Sequence, residues 1–219
     1  MFGLKGLTYF INGKLYLSVT NRCNSATSIS VRGPNFQWGK DFVQLPRGFE
    51  PSVDMLSTAV GDAFKSGRIG GTASPDSPEL ITFAGCGEPL LRHDVICDTA
   101  AQLKQLREAR PMQLRVKTNG LVADPETRER MVRQLKEAGI DTMAIALQTA
   151  SPEQYLQLMQ PAPGQGGFED VCGFITACAG GGLAVEATAV AAPGVDLDAT
   201  RALALSLGAA TFSSSTYFS

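Results

Sequence analysis

Cys23 closes the run Leu15-Tyr16-Leu17-Ser18-Val19-Thr20-Asn21-Arg22 and is the first of five cysteines in the chain. Hydroxyl residues follow it at Thr27 and Ser30. A thiolate is a soft anionic metal ligand, whereas neutral hydroxyls of high pKa are not. A second group is Gly85-Cys86-Gly87-Glu88-Pro89. Its glycines would let the backbone approach a ligand, and Glu88 could accept hydrogen bonds from an ammonium group. The same letters also read as a strand-to-helix turn with an exposed acid. In Lys117-Thr118-Asn119-Gly120 a hydroxyl and an amide sit beside a glycine that permits positive φ; a plain Asn-Gly turn is the competing reading. Gln148-Thr149 and Pro193-Gly194-Val195-Asp196 carry less weight singly. Cys23 and Cys86 together could hold a metal with help from an Asp or His93, or form a redox pair. They read equally as two unrelated buried thiols. Cys97, Cys172 and Cys178 fall in helical stretches, and a separation of six between the last two suits no metal site on one helix face.

These groups gain meaning from the elements that carry them. Tyr9–Ile11 and Lys14–Thr20 flank Asn12-Gly13, a strong two-residue hairpin signal. Pro51–Ser66 has Val53, Leu56, Val60 and Phe64 near helical spacing. Leu80–Ala84 reads as a parallel strand covered on both faces. A single helix is expected over Asp94–Ala109, a strand over Met112–Lys117, and a helix from Asp124-Pro125-Glu126 to Gly139. Then come a strand at Thr142–Leu147, a capping-box start at Ser151-Pro152-Glu153-Gln154, and a helix over Phe168–Ala179 closed by three glycines. Leu183–Val190, Leu197–Leu207 and Ala210–Tyr217 complete the pattern as strand, helix and strand. About six strand–helix units result by this pattern counting. Such alternation predicts an α/β fold with a parallel sheet and right-handed crossovers. Six units are too few for an eight-stranded barrel, so a curved, open, partial (β/α)6 TIM-like barrel preceded by a short N-terminal β-hairpin is expected. Ligands of such sheets collect at the carboxyl ends of the strands, where Cys23, Gly85–Pro89, Lys117–Gly120, Gln148-Thr149 and Pro193–Asp196 lie. No domain break is visible, so residues 1–219 read as one domain, with loop-like inserts at Arg32–Arg47 and Gly67–Pro78.

Bulk properties narrow the classes further. With 19 Lys+Arg against 21 Asp+Glu, the net charge is -2 and no basic excess points to nucleic acid. No apolar run approaches the roughly 20 residues of a membrane span. A secretory signal is not expected near the N-terminus. The odd count of five cysteines, without a disulfide-scaffold pattern, fits a reducing, cytoplasmic setting, or an organelle if a transit peptide precedes the sequence. His93 is the single histidine, which excludes a histidine-rich metal site, and no G-x-x-x-x-G-K phosphate loop occurs.

Taken together, the segments Thr20–Cys23, Gly85–Pro89, Thr118–Leu121 and Pro193–Asp196 resemble, in order, those of the radical S-adenosylmethionine (SAM) superfamily, in particular its small proteins associated with TatD-family genes. Ser151–Pro161 resembles that family's segment after the fourth strand, and the resemblance runs from about Leu15 to Tyr217. It implies a partial barrel of the radical SAM type. It implies SAM as cofactor, with Glu88 facing the methionyl amino group and Asn119 and Gln148 near the sugar or methionyl part. Gly85, Gly87 and Thr118 would complete the cofactor wall.

The departures from the family are as informative. There a C-x3-C-x2-C run holds a four-iron four-sulfur cluster through thiolates. Here Cys23 is the one cysteine of the three, Thr27 and Ser30 occupy the other two positions, and Ile29 stands where the family has an aromatic against the adenine. Arg32 is retained. The resemblance therefore implies a member without the standard 4Fe-4S cluster and without radical chemistry, whose pocket keeps weak affinity for SAM or a nucleoside in a binding or regulatory role. Two alternatives stand beside it: an active radical SAM enzyme with an unusual or partner-supplied cluster, and a scaffold with a vestigial pocket. A small molecule is the expected partner.

Overall fold

Asn12 and Gly13 both take positive φ, 50° and 75°, and fold Thr8–Ile11 (β1) back on Lys14–Ser18 (β2) as an antiparallel hairpin. Two such residues in sequence match the twist of the flanking strands. In the computed structural model, which describes residues 4–26, 28–39, 42–71 and 78–219, this hairpin forms one edge of a seven-stranded sheet. Glu79–Ala84 (β3), Met112–Thr118 (β4), Thr142–Ala146 (β5), Ala184–Val190 (β6) and Thr211–Ser215 (β7) follow β2 in sequence order, every pair parallel. The sheet is open, as six parallel strands require.

The crossovers are Ser28–Val31 (α1) and Val53–Lys65 (α2), then His93–Gln102 (α3) and Lys104–Ala109 (α4), Pro125–Ala138 (α5), Pro152–Met159 (α6) and Phe168–Gly180 (α7), and Leu197–Ser206 (α8). Their starts are set by side-chain caps. Ser52, Asp124, Ser151 and Asp196 accept from the N–H groups of Met55, Thr127, Gln154 and Ala199. The helix expected over Asp94–Ala109 is interrupted at Leu103, whose side chain is buried. The capping box at Ser151 is half formed: the Gln154 side chain accepts from Thr149 Oγ1 instead of reaching the Ser151 N–H, which Thr149 Oγ1 takes. The last strand ends at Ser215, because Tyr217-Phe218 leaves the sheet and Phe218 exchanges backbone hydrogen bonds with Arg32 and Asn35.

Strand alternation places the core on the outer side of the sheet. Leu15, Leu17, Ile81, Phe83, Leu114, Val116, Met143, Ile145, Val185 and Ala187 are buried among the helices. The intervening residues Tyr16, Thr82, Arg115 and Glu186 face the concave side and are polar, with Ala144 the apolar exception. Arg115 donates to Thr82 Oγ1 (3.2 Å), Tyr16 OH (3.1 Å) and Glu186 Oε2 (3.1 Å), while Ser213 donates to Glu186 Oε1 (2.7 Å). The reading of β3 as covered on both faces holds, since Thr82 is as fully buried as Ile81 and Phe83, but the two faces are covered differently. Ile81 and Phe83 meet helices, but Thr82 joins the polar concave floor. Among the described residues, no helix is long and apolar enough to cross a membrane.

Candidate functional site

Above the polar floor, the carboxyl ends of β2 to β5 enclose a cavity of about 460 Å³. The turn after β3, the end of β4 and the loop after β5 bring Gly85, Gly87, Glu88, Thr118, Asn119 and Gln148 to its wall, so the six residues singled out from the sequence meet in one place. Cys23 and Cys86 line the same cavity. Thr149 and Pro193–Asp196 are absent from its described lining; Asp196 caps α8. His93 opens α3, outside the cavity lining.

Glu88 is 3% exposed, a buried clasp rather than the exposed acid of a simple turn. Its Oε1 accepts from Leu90 N (2.8 Å) and Thr118 Oγ1 (2.7 Å), and its Oε2 from Asn119 N (2.7 Å). Burial raises its pKa while these bonds lower it, and burial wins. Asn119 extends the network. Its amide donates to Asn24 Oδ1 (2.7 Å) and Ser25 Oγ (2.9 Å), and its Oδ1 accepts from Leu121 N (3.0 Å). The loop leaving β2 is thereby pinned to the end of β4. Gln148 sits at φ 66°, with its N–H on Thr188 O and its Oε1 accepting from Val190 N.

The glycines also permit a close approach within the chain itself. A Cβ on Gly87 would fall on the Arg22 carbonyl oxygen. The Gly87 and Glu88 N–H groups donate to Thr20 O (3.1 Å) and Arg22 O (2.8 Å). At Gly87, which also lines the cavity, the chain's own β2 loop comes close. Gly85, at φ 124°, lies over the Ser18 and Thr20 backbone in the same way.

Both cavity thiols are pushed up in pKa, chiefly by burial. Cys86 Sγ lies 3.0 Å from its donor, Gln44 Nε2. Of the two hydroxyl positions in the loop, Ser30 lies in α1 and Thr27 falls outside the described residues, as does the side chain of Ile29. Cys97 is on α3, and Cys172 and Cys178 are buried in α7. Among the described residues, no group of three or more His, Cys, Asp or Glu side chains is arranged to hold a metal.

The functional groups that pattern reading passed over are Lys117 and an aromatic wall. Lys117 faces the cavity from β4, one residue before Thr118. Burial, then Arg32 and Arg115, lower its pKa to about 8, with Glu186 acting weakly the other way. Burial also lowers the pKa of Arg32. The wall consists of Tyr9, Phe36, Trp38 and Phe42, the last three from the insert after α1. One signal for Lys117 was available. In Met112-Gln113-Leu114-Arg115-Val116-Lys117, charges alternate with core residues, which marks a strand with a polar inner face. The aromatic wall left no comparable periodic signal.

Comparison with known proteins places these features. The profile of the Radical SAM superfamily matches residues 76–206. A GTP 3',8-cyclase of Corynebacterium glutamicum is 36% identical over 186 residues, covering 83% of this chain and 42% of that protein. A probable GTP 3',8-cyclase of Methanosarcina mazei is 28% identical over 150 residues, covering 68% and 37%. The chain thus spans less than half the length of these relatives. Among solved structures, Streptococcus suis SuiB bound to precursor peptide SuiA superposes with a TM-score of 0.62 at 13% identity, covering 94% of this chain and 40% of SuiB. The radical S-adenosylmethionine methyltransferase TsrM from Kitasatospora setae gives 0.56 at 16% identity, covering 92% and 34%. These two likenesses concern the fold.

Proposed function

The chain belongs to the radical SAM superfamily, and from that premise we propose that it is a small-molecule-binding member that assembles no standard 4Fe-4S cluster. One observation carries the reading. The loop after β2 keeps a single thiol, and its Asn24 and Ser25 are bonded to Asn119 across the wall where the cofactor would lie. A four-iron cluster needs thiolates. The described cavity offers two thiols, Cys23 and Cys86, fewer than such a cluster takes. This donor set does not fit the cluster.

SAM or a nucleoside fits better. A cavity of about 460 Å³ falls in the range of small-molecule sites. Glu88 Oε2 accepts a single described hydrogen bond and keeps room for an ammonium donor. Both donors of the Asn119 amide are engaged, so a sugar hydroxyl must displace Asn24 or Ser25 to use them. SAM binding is accordingly weak. The GTP cyclases among the relatives agree with a nucleotide-like occupant.

Anaerobic reconstitution with iron and sulfide tests the first half. We expect no stoichiometric cluster by iron analysis or by electron paramagnetic resonance after reduction. A cluster signal that disappears in Cys23→Ala would overturn the reading. Titration calorimetry with SAM tests the second half: weak heat is expected, reduced in a folded Glu88→Gln variant, and unchanged heat removes Glu88 from the site.

A further inference from the structure

Lys117 and Arg32 bring two cations to the cavity, and neither has an acidic ion-pair partner among the described residues. The charged groups that act on Lys117 are Arg32, Arg115 and Glu186. Glu186 is already committed, its two oxygens taken by Arg115 and Ser213. Glu88, which lines the cavity, ion-pairs with neither cation; its described hydrogen bonds go to Leu90 N, Thr118 Oγ1 and Asn119 N. Arg32 donates to the neutral Ser215 Oγ at 3.0 Å. Two like charges held on one wall with no anion between them repel each other and lose hydration; a bound anion offsets both costs.

An apolar surface starts directly beside this pair. The Arg32 guanidinium lies 4.9 Å from the Phe36 ring centroid, Phe36 lies 5.4 Å from Trp38, and Trp38 stacks on Phe42 at 4.0 Å. Tyr9 meets Phe42 edge-on at 4.9 Å and closes the wall toward the hairpin. Aromatic faces of this kind accept a flat ring by stacking. The order of groups is therefore cation pair, then aromatic wall, within one cavity.

We propose that Lys117 and Arg32 form an anion subsite, and that the occupant of the cavity carries a carboxylate or phosphate next to a planar ring that lies on the Phe36–Trp38 wall. This rests on the reading of the cavity as a small-molecule site and names the class of molecule it selects. The subsite lies on the floor side of the Glu88–Asn119 network, because Lys117 precedes Thr118 on β4.

Trp38 is the single tryptophan of the chain and lines the cavity, so its fluorescence reports occupancy. The wild-type protein is titrated at pH 7 with adenosine, adenosine monophosphate and benzoate. Adenosine and its monophosphate differ by the anion alone, and benzoate supplies a carboxylate on a bare ring. A charge-assisted contact is worth roughly a factor of ten or more in affinity. We expect the monophosphate to bind at least tenfold tighter than adenosine, or benzoate to bind, with that advantage lost in Lys117→Met and Arg32→Gln and kept in Lys117→Arg. Equal affinity for adenosine and its monophosphate, together with silence toward benzoate, overturns the anion subsite and leaves the pocket standing. Silence toward all three ligands in the wild-type protein overturns the pocket reading and the subsite with it. An anion advantage that persists in the folded variants overturns the assignment to Lys117 and Arg32.

Discussion

Replacing Lys117 by methionine should make the protein more stable at neutral pH. The side chain faces the cavity beside Arg32 and Arg115, and its pKa falls from 10.5 to about 8, first through burial and then through those two cations. A tenfold change in proton affinity corresponds to about 1.4 kcal/mol, so the drop is worth about 3 kcal/mol at most. Lys117 is half-buried, so solvent screens part of this, which leaves about 2 kcal/mol as the working value. Methionine keeps the length of the stem and removes the charge. For a chain of this size the gain corresponds to about 4–8 °C in Tm. The sign depends on pH. Below about 8 the folded protein carries the charged lysine at full cost. Between about 8 and 10.5 the unfolded chain binds more protons than the folded one, so wild-type stability rises with pH. The advantage of Lys117→Met is therefore complete at pH 7, shrinks above about 8, and is gone near 10.5. Urea unfolding of both proteins at pH 7, 9 and 10 measures this directly, and the titrating cysteines cancel in the comparison. A variant no more stable than wild type at pH 7, or an advantage that stays flat from pH 7 to 10, would refute the reasoning.

Two further substitutions probe how the site is built. Gly87→Ala places a Cβ on the Arg22 carbonyl and should cost about 2–3 kcal/mol in urea unfolding. Gly61→Ala, in α2 with nothing near its Cβ, should instead stabilise by about 0.5–1 kcal/mol; equal effects at the two positions would remove the close approach of the β2 loop. Glu88→Gln leaves at least one of the donors Leu90 N, Thr118 Oγ1 and Asn119 N facing an amide hydrogen, and should cost about 2–3 kcal/mol, read from the same assay. A loss well below about 1 kcal/mol would mean that Glu88 does not hold the β3 turn to the end of β4.

By itself, the sequence determined the order of elements and the end of the sheet at which the site forms. The hairpin at Asn12-Gly13, the caps at Asp124, Ser151 and Asp196, and the alternation of strand and helix are set by signals that act over a few residues. Once the strands are parallel, every loop after a strand lies at the same edge, so Cys23, Gly85–Glu88, Thr118-Asn119 and Gln148 meet there without further instruction. The superfamily was legible for the same reason, since its motifs are those loops.

Tertiary structure decided what each group does at that edge. Glu88 and Asn119 line the cavity, and their hydrogen bonds also reach Thr118, Asn24 and Ser25, up to 95 residues away in sequence, which no local pattern marks. Gly87 lines the cavity and also leaves room for the Arg22 carbonyl, which its local pattern does not mark. The apolar run of β3 concealed Thr82 on the polar floor. The Phe36–Trp38–Phe42 wall has no period to mark it, because an irregular insert finds its place by packing against β1 and the chain after β7. Local geometry follows from short-range propensity. The choice of hydrogen-bond partner, and of which face meets a cavity, depends on contacts that exist only after distant loops have closed on one another.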